Sequence, residues 1–193
     1  MSSHHFVKEN QEPALLILHT EAIPFEKVQE LLEWSPTVIV THASLEKVLG
    51  WGIKIDVVLT PAESIQSLTQ TLRHQAPIQF VSFKDEHEII TNIIEFLKSS
   101  HQKAVNVLAN SWVDFERLQI TDLDCELFFE GKRWSFARDT KFRKWYEWDV
   151  QLYVYPSAIK FSSISGAGIS LRTENNGIVQ LESVLPFWVG EEV

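Results

Sequence analysis

Residues 38–64 of the chain read VIVTHASLEKVLGWGIKIDVVLTPAES, and this segment by itself predicts a type of sheet. Two apolar, β-branched runs, at 38–40 and 53–59, flank a segment whose apolar residues recur at helical spacing. Gly52 stands where the end of a helix favours glycine. The pattern therefore predicts a strand, a helix and a second, parallel strand. Ligands of open α/β sheets bind at the edge where the strands have their carboxyl ends.

The flanking sequence extends the same alternation. Further strands are predicted at 14–18, 78–83 and 104–108, with helices at 25–34, 64–75 and 85–100. Ser64 is expected to cap the second of these helices. Strands that alternate with helices through short turns indicate a parallel sheet with right-handed crossovers.

The pattern changes after about Thr121, where short, often alternating apolar runs replace the helices. These runs lie at 125–129, 132–136, 150–155, 159–161, 169–173, 178–181 and 184–189. Asn176-Gly177 predicts a two-residue hairpin between the runs on either side of it. We therefore predict a parallel-sheet α/β domain over residues 1–120, followed by a β-sandwich-like domain over residues 121–193.

Composition excludes several classes of partner. The chain has 193 residues, a net charge of −9 and 45% hydrophobic residues, which is typical of an acidic globular protein. This charge disfavours a general nucleic-acid or anionic-membrane binder. Cys125 has no second cysteine to pair with in this chain, and the first residues lack the pattern of a signal peptide. We expect a cytoplasmic protein with neither a nucleic acid nor a membrane as partner.

Four short segments follow one another along the α/β part: HASLE at 42–46, GIKID at 52–56, TPAES at 60–64 and KDEHE at 84–88. Their order and spacing resemble those of thiamin pyrophosphokinases. That family carries an Asp-Gly-Gly-Ala-Asn turn, then Gly-Ile-Lys-Pro-Asp, Gly-Asp-Phe-Asp-Ser and Lys-Asp-x-Thr-Asp. The resemblance covers residues 14–108. It implies an α/β domain joined to a β-sandwich, a homodimer, and Mg²⁺-dependent transfer of diphosphate from ATP to thiamin.

The segments also depart from the family's pattern. His42 replaces the aspartate of the first turn, and Ala43 and Ser44 replace its glycines, which would let the backbone approach a phosphate closely. Pro61 replaces the first aspartate of the third motif. These exchanges predict a relative of the family with impaired catalysis.

The acids that remain are candidate ligands by resemblance. Glu63, Asp85 and Glu88 match carboxylate positions and are candidate metal- and phosphate-binding residues for Mg²⁺. Ser44 and Ser64 are candidate ligand-binding residues of the same turns. For Asp85 and Glu88 there is an alternative, since acids are common in the first turn of a helix, where the dipole stabilises them.

Three histidines fall at the ends of three predicted strands. His19, His42 and His87 are candidate ligand-binding residues, and with Glu63 and Asp85 they form a donor set suited to Zn²⁺. The alternative is three unrelated imidazoles in surface loops. The zinc hypothesis requires that His42 and His87 lie close enough to share an ion.

Residues 132–148, KRWSFARDTKFRKWYEW, combine basic and aromatic side chains in an otherwise acidic protein. We interpret the segment as a β-hairpin whose aromatic residues pack in the sandwich or at a dimer interface. The alternatives are stacking of a planar ligand and binding of single-stranded nucleic acid.

Three functions remain open at this point. The first is a thiamin pyrophosphokinase-like protein with impaired catalysis that binds thiamin, its diphosphate or a nucleotide. The second is an active Mg²⁺-dependent diphosphokinase with an altered substrate. The third is a non-catalytic, dimeric scaffold.

Overall fold

The structure is a computed structural model that describes residues 12–111, 118, 122–155 and 170–193, together with the backbone of 160–162 and 164–165. The chain forms two compact units, of which the first ends at Cys125 and the second begins at Glu126. The predicted boundary between residues 120 and 121 lies outside the described residues, and so does part of the predicted strand 159–161.

The first unit is built on five parallel strands in the order β5-β1-β2-β3-β4. Its strands are β1 Ala14–Ile17, β2 Val38–Thr41, β3 Val57–Pro61, β4 Gln79–Phe83 and β5 Ala104–Leu108. Its helices are α1 Phe25–Leu32, α2 Leu45–Gly50, α3 Ile65–Thr71 and α4 Ile89–Ser99. All four residues of β1 are buried, as expected of an apolar strand with neighbours on both sides. The predicted parallel α/β domain is confirmed.

Three strands continue into their helices through the same kind of turn. A 3₁₀ turn follows β2 at His42–Ser44, β3 at Ala62–Ser64 and β4 at Glu86–Glu88, and each leads directly into a helix. The predicted cap by Ser64 is wrong. Its side chain makes no capping hydrogen bond, because Ser64 already has helical φ and ψ inside the turn rather than the extended conformation of an N-cap.

The second unit consists of antiparallel strands in two sheets. Its strands are β6 Asp124–Phe129, whose first two residues belong to the first unit, β7 Lys132–Ala137, β8 Lys141–Tyr146, β9 Gln151–Tyr155, β10 Lys160–Ser162, β11 Ile164–Ser165, β12 Ser170–Thr173, β13 Gly177–Glu182 and β14 Phe187–Glu192. One sheet has the order β11-β12-β9-β14-β7-β6 and the other β10-β13-β8. Their facing side chains, among them Phe187 and Leu181, share one buried cluster. The predicted β-sandwich-like class is confirmed.

The hairpin predicted at Asn176-Gly177 is wrong. Strand β12 pairs with β9 and β11, whereas β13 pairs with β8 and β10, so the turn passes from one sheet to the other. The Asn176 side chain instead accepts a hydrogen bond from the backbone N–H of Trp148, at 2.6 Å. Within the described part of the chain, no helix is long and apolar enough to cross a membrane.

We predict that Gly190→Ala lowers the free energy of unfolding by about 1–3 kcal/mol. A Cβ at this position of β14 would lie 2.8 Å from the ring of Trp134, whose side chain is buried and has little room to move. Denaturant unfolding measures the change. The matched control is Gly50→Ala, where a Cβ meets nothing within 4 Å. Equal stability of the two variants would contradict the close packing at Gly190.

Candidate functional site

A cavity of about 460 Å³ opens at the carboxyl edge of the parallel sheet, within the first unit. We call it the carboxyl-edge pocket. Its wall comes from the ends of β1, β2, β3 and β4, the start of α4 and the segment after β5. The lining residues are Leu18, His19, Thr41, His42, Ala43, Pro61, Phe83, Glu86, His87, Ile89, Ile90 and Ser111. Its position is the one that open α/β sheets use for ligands.

Buried hydroxyl groups fix the floor of this pocket. The Leu18 carbonyl, just after β1, accepts hydrogen bonds from the hydroxyls of Ser44, at 2.7 Å, and of Thr41, at 3.2 Å. Both side chains are buried, and Leu18 in turn donates its backbone N–H to the Leu108 carbonyl of β5. The turn after β2 is thereby tied to β1 and, through Leu18, to β5. Ser44, a candidate ligand-binding residue, has its hydroxyl engaged beneath the pocket.

The three candidate histidines line the same pocket. His42 extends from the turn after β2, and its Nδ1 lies 2.8 Å from the hydroxyl oxygen of Thr60 in β3. Thr60 is completely buried, so it holds the exposed imidazole of His42 in one orientation. His19 and His87 contribute from the end of β1 and from the turn before α4. The three histidines thus lie at one edge of the sheet, as predicted, whereas their use as ligands stays a prediction.

The acids retained at the start of α4 accept hydrogen bonds from backbone N–H groups there. The Oδ1 atom of Asp85 accepts the backbone N–H of His87 at 2.9 Å, and the Oε2 atom of Glu88 accepts that of Lys84 at 3.0 Å. Each carboxylate oxygen thus satisfies a backbone donor at a helix start. This geometry corresponds to the alternative role for Asp85 and Glu88, in which they stabilise the helix.

The carboxylates do not assemble an ion site. Among the described residues, no three or more His, Cys, Asp or Glu side chains are grouped so that they would hold a metal ion. Glu63 and Ser64 lie in the turn after β3 but do not line the pocket. Mg²⁺ needs several hard oxygen ligands in octahedral order, and the donors present do not fit it. Mg²⁺ and Zn²⁺ remain predictions from the sequence.

Several polar residues of this site were not predicted from the sequence, among them Thr60 and Glu86. Thr60 was hidden in an apolar strand, although a polar residue at the carboxyl end of a buried strand is itself a signal. Glu86 is the one carboxylate among the described residues that line the pocket. Its side chain makes no hydrogen bond or ion pair with any residue of the described ranges.

The segment that best matches the resemblance lies at the opposite, amino edge. Asp56 Oδ2 accepts the backbone N–H of Val38, at 2.9 Å, just where β2 and β3 begin. The Lys54 ammonium donates to the carbonyls of Ile55, Gln75 and Pro77 and so ties the start of β3 to the chain that enters β4. This segment therefore holds neighbouring strands in register and lies away from the pocket.

The basic, aromatic segment 132–148 forms β7 and β8 of the second unit. Trp134 and Tyr146 are buried, whereas Trp145 and Trp148 are exposed. Glu191 accepts hydrogen bonds from the Lys144 ammonium, at 2.7 and 2.8 Å, and from the Tyr146 hydroxyl, at 2.8 Å. Burial, followed by this carboxylate, raises the pKa of the Tyr146 phenol above its usual range. Part of the segment thus joins β8 to β14 inside the sandwich. The predicted hairpin is wrong, because β7 pairs with β6 and β14 whereas β8 pairs with β13 in the other sheet.

Comparison with known proteins identifies the fold. The sequence matches no protein-family model and no curated protein. Solved structures are similar over nearly the whole chain. Thiamine pyrophosphokinase from Bacillus subtilis superposes with a TM-score of 0.66 at 10% identity, over 93% of this chain and 98% of the other. A probable thiamine pyrophosphokinase from Staphylococcus saprophyticus gives 0.64 at 12% identity, over 93% and 98%.

The yeast enzyme extends the similarity beyond bacteria. Yeast thiamin pyrophosphokinase gives a TM-score of 0.64 at 6% identity, over 97% of this chain and 88% of the other. Identities this low establish the fold alone. The resemblance to thiamin pyrophosphokinases inferred from the four sequence segments is confirmed at the level of the fold.

We predict that Ser44→Ala lowers the free energy of unfolding by about 1 kcal/mol, because the change removes a buried hydrogen bond to the Leu18 carbonyl. Urea unfolding followed by circular dichroism measures the loss. Ser67→Ala is the matched control, since the Ser67 hydroxyl bonds a carbonyl in an exposed turn of α3. If Ser67→Ala lowers the free energy of unfolding as much as Ser44→Ala does, the buried hydrogen bond to Leu18 would stabilise the fold no more than an exposed one.

Proposed function

We propose that this chain, which has the fold of the thiamin pyrophosphokinases, binds a small molecule in the carboxyl-edge pocket and is impaired in diphosphate transfer. The candidate ligands are thiamin, thiamin diphosphate and a nucleotide. The observation that carries the proposal is a cavity of about 460 Å³ at the carboxyl ends of four parallel strands. That volume falls in the usual range of small-molecule sites, roughly 300–1,000 Å³.

The lining of the pocket supports binding. Apolar side chains, among them Phe83, Ile89 and Ile90, form much of the wall, and polar groups of histidine, threonine and glutamate interrupt it. Small-molecule sites commonly combine an apolar surface with a few placed polar groups that orient the ligand.

The same lining supports impaired catalysis. Diphosphate transfer depends on close backbone contact with phosphates and on metal ions that neutralise them. Ala43 carries a side chain into the pocket where the family's turn has a glycine, and Pro61 offers neither a carboxylate nor an N–H. Asp85 and Glu88 each accept a backbone N–H at the start of α4. These exchanges weaken the machinery of transfer while they leave the cavity open.

We expect a thermal-shift panel to show binding without turnover. The panel contains thiamin, thiamin diphosphate, and ATP with Mg²⁺ or Zn²⁺, each compared with protein alone. A ligand present at 100 times its dissociation constant stabilises the folded state by about 2.7 kcal/mol, which gives a clear rise in melting temperature. Incubation with thiamin, ATP and Mg²⁺ should release no AMP above the blank.

Two matched variants locate the binding. Ala43→Trp places a large ring in the pocket and should abolish the thermal shift, because Ala43 lines the wall. Ala62→Trp makes the same change in the turn after β3, at an exposed residue that does not line the pocket, and should leave the shift intact. A shift that survives Ala43→Trp would place the ligand elsewhere.

The remaining outcomes decide between the other candidate functions. Release of AMP would establish an active diphosphokinase and contradict impaired transfer. A flat panel would contradict the binding proposal and favour a scaffold, for which sedimentation would test the implied homodimer.

A further inference from the structure

The charges around the carboxyl-edge pocket differ from those of a magnesium-phosphate site. Among the described residues, three imidazoles, of His19, His42 and His87, line it together with a single carboxylate, that of Glu86. The resemblance instead implies clustered carboxylates, and the donors present do not fit Mg²⁺. The imidazoles of the lining therefore favour a ligand other than a magnesium-bound phosphate.

The hydroxyl of Thr60 determines which nitrogen of His42 carries the proton. Thr60 has no exposed surface, and among the described residues its hydroxyl makes one hydrogen bond, with His42 Nδ1 at 2.8 Å. A buried hydroxyl proton needs an acceptor, because leaving it unpaired is costly. In neutral His42 the Nδ1 atom therefore accepts this proton, and Nε2 carries the ring hydrogen.

This tautomer makes His42 a hydrogen-bond donor toward any ligand. Nδ1 is engaged with Thr60, so Nε2 is the nitrogen that remains for a ligand. Nε2 bears a hydrogen both in this neutral tautomer and in the imidazolium form. A metal ion requires a lone pair at the ligating nitrogen, whereas an oxyanion requires a hydrogen. The tautomer thus favours a hydrogen-bond acceptor over a metal ion, and an oxyanion is the strongest such acceptor.

The apolar residues of the lining indicate which chemical group is attached to the oxyanion. Phe83 and Pro61 are paired neighbours at the ends of β4 and β3, and Leu18, Ile89 and Ile90 are further apolar residues of the lining. Desolvation of a flat apolar group against such surfaces is favourable. The pocket is thus suited to a molecule with an aromatic body and a single anionic head.

We propose that the carboxyl-edge pocket binds, without a divalent metal ion, an aromatic ligand whose phosphate or carboxylate oxygen accepts a hydrogen bond from His42 Nε2. This inference rests on the proposed function, since it concerns the same pocket, and it specifies the ligand's chemistry. Thr60 is a positioning residue that acts through His42. The carboxylate of Glu86 repels the bound anion and so disfavours ligands with a larger negative charge.

Titration calorimetry with phenyl phosphate and with benzoate, both in EDTA, tests the proposal and distinguishes the two head groups. Phenol and benzylamine supply the same aromatic ring with no charge and with a positive charge. We expect at least one anion to bind in EDTA, and phenol and benzylamine to bind at least tenfold more weakly. Binding that requires Mg²⁺, or a preference for benzylamine, would overturn the proposal.

Substitutions at two histidines show whether His42 makes the contact. His42→Ala should weaken binding of the anion about tenfold or more, as expected for a lost hydrogen bond to a charged group. His74→Ala is the matched control, because His74 is exposed in the turn between α3 and β4, at the amino edge. Equal affinities of the two variants would overturn the assignment of His42.

A gain of affinity provides a test that misfolding cannot imitate. Glu86→Gln removes a negative charge from the lining and should strengthen binding of the anion about twofold to fivefold. Glu63→Gln makes the same change in the turn after β3, outside the pocket, and should have no effect. Weaker binding in Glu86→Gln would indicate that the pocket selects a cation.

The tautomer itself is measurable by NMR. Proton–nitrogen correlation spectra of the wild-type protein should show His42 with an unprotonated Nδ1 and a protonated Nε2. Thr60→Val removes the hydroxyl at nearly constant volume and should leave a mixture of tautomers. A protonated Nδ1 in the neutral wild-type ring would contradict the argument from Thr60.

The two proposals fail in different ways. If thiamin or ATP raises the melting temperature in the wild type but not in Ala43→Trp, whereas neither phenyl phosphate nor benzoate binds, the proposed function stands and the oxyanion inference is wrong. If neither the panel nor the two anions bind, both proposals are wrong.

Discussion

The carbonyl oxygen of Leu18 is the point on which the geometry of the pocket depends. It stands just after the inner strand β1 and accepts hydrogen bonds from two buried hydroxyls, those of Thr41 at the end of β2 and of Ser44 in the turn that follows. Since a buried carbonyl must be paired, the turn after β2 has little freedom to move away from β1. The residues of this turn that line the pocket, His42 and Ala43, are therefore held at a fixed position relative to β1.

Side chains at the two edges of the parallel sheet have different roles. At the amino edge, Lys54 and Asp56 bond to backbone groups that start neighbouring strands, and this segment keeps the residue pattern of the thiamin pyrophosphokinases. At the carboxyl edge, where ligands of such sheets bind, His42 and Pro61 depart from that pattern. Similarity of fold at about 10% identity is compatible with this division, because backbone pairing maintains the sheet whichever side chains line its edge.

Much of the fold was predictable because it follows from local periodicity. Continuous apolar runs and helical spacing indicated the parallel strands and the helices that follow them, including buried β1. The same rules failed at Asn176-Gly177, where a sequence typical of a hairpin connects strands of two different sheets. Strand β13 pairs with β8, which is distant in sequence, because of tertiary packing. A two-residue turn sequence gives no information on that packing.

The site was only partly predictable because side-chain direction is a tertiary property. Sequence order brought His19, His42 and His87 to one edge, but it did not reveal that Asp85 and Glu88 bond to nearby backbone N–H groups. An acid before a helix has two competing partners, the helix amides and an external cation. The amides are always present at high effective concentration, so a carboxylate bound to them serves a cation less well. While these acids bond to amides at the helix start, the imidazole of His42 is held at the pocket by the buried hydroxyl of Thr60.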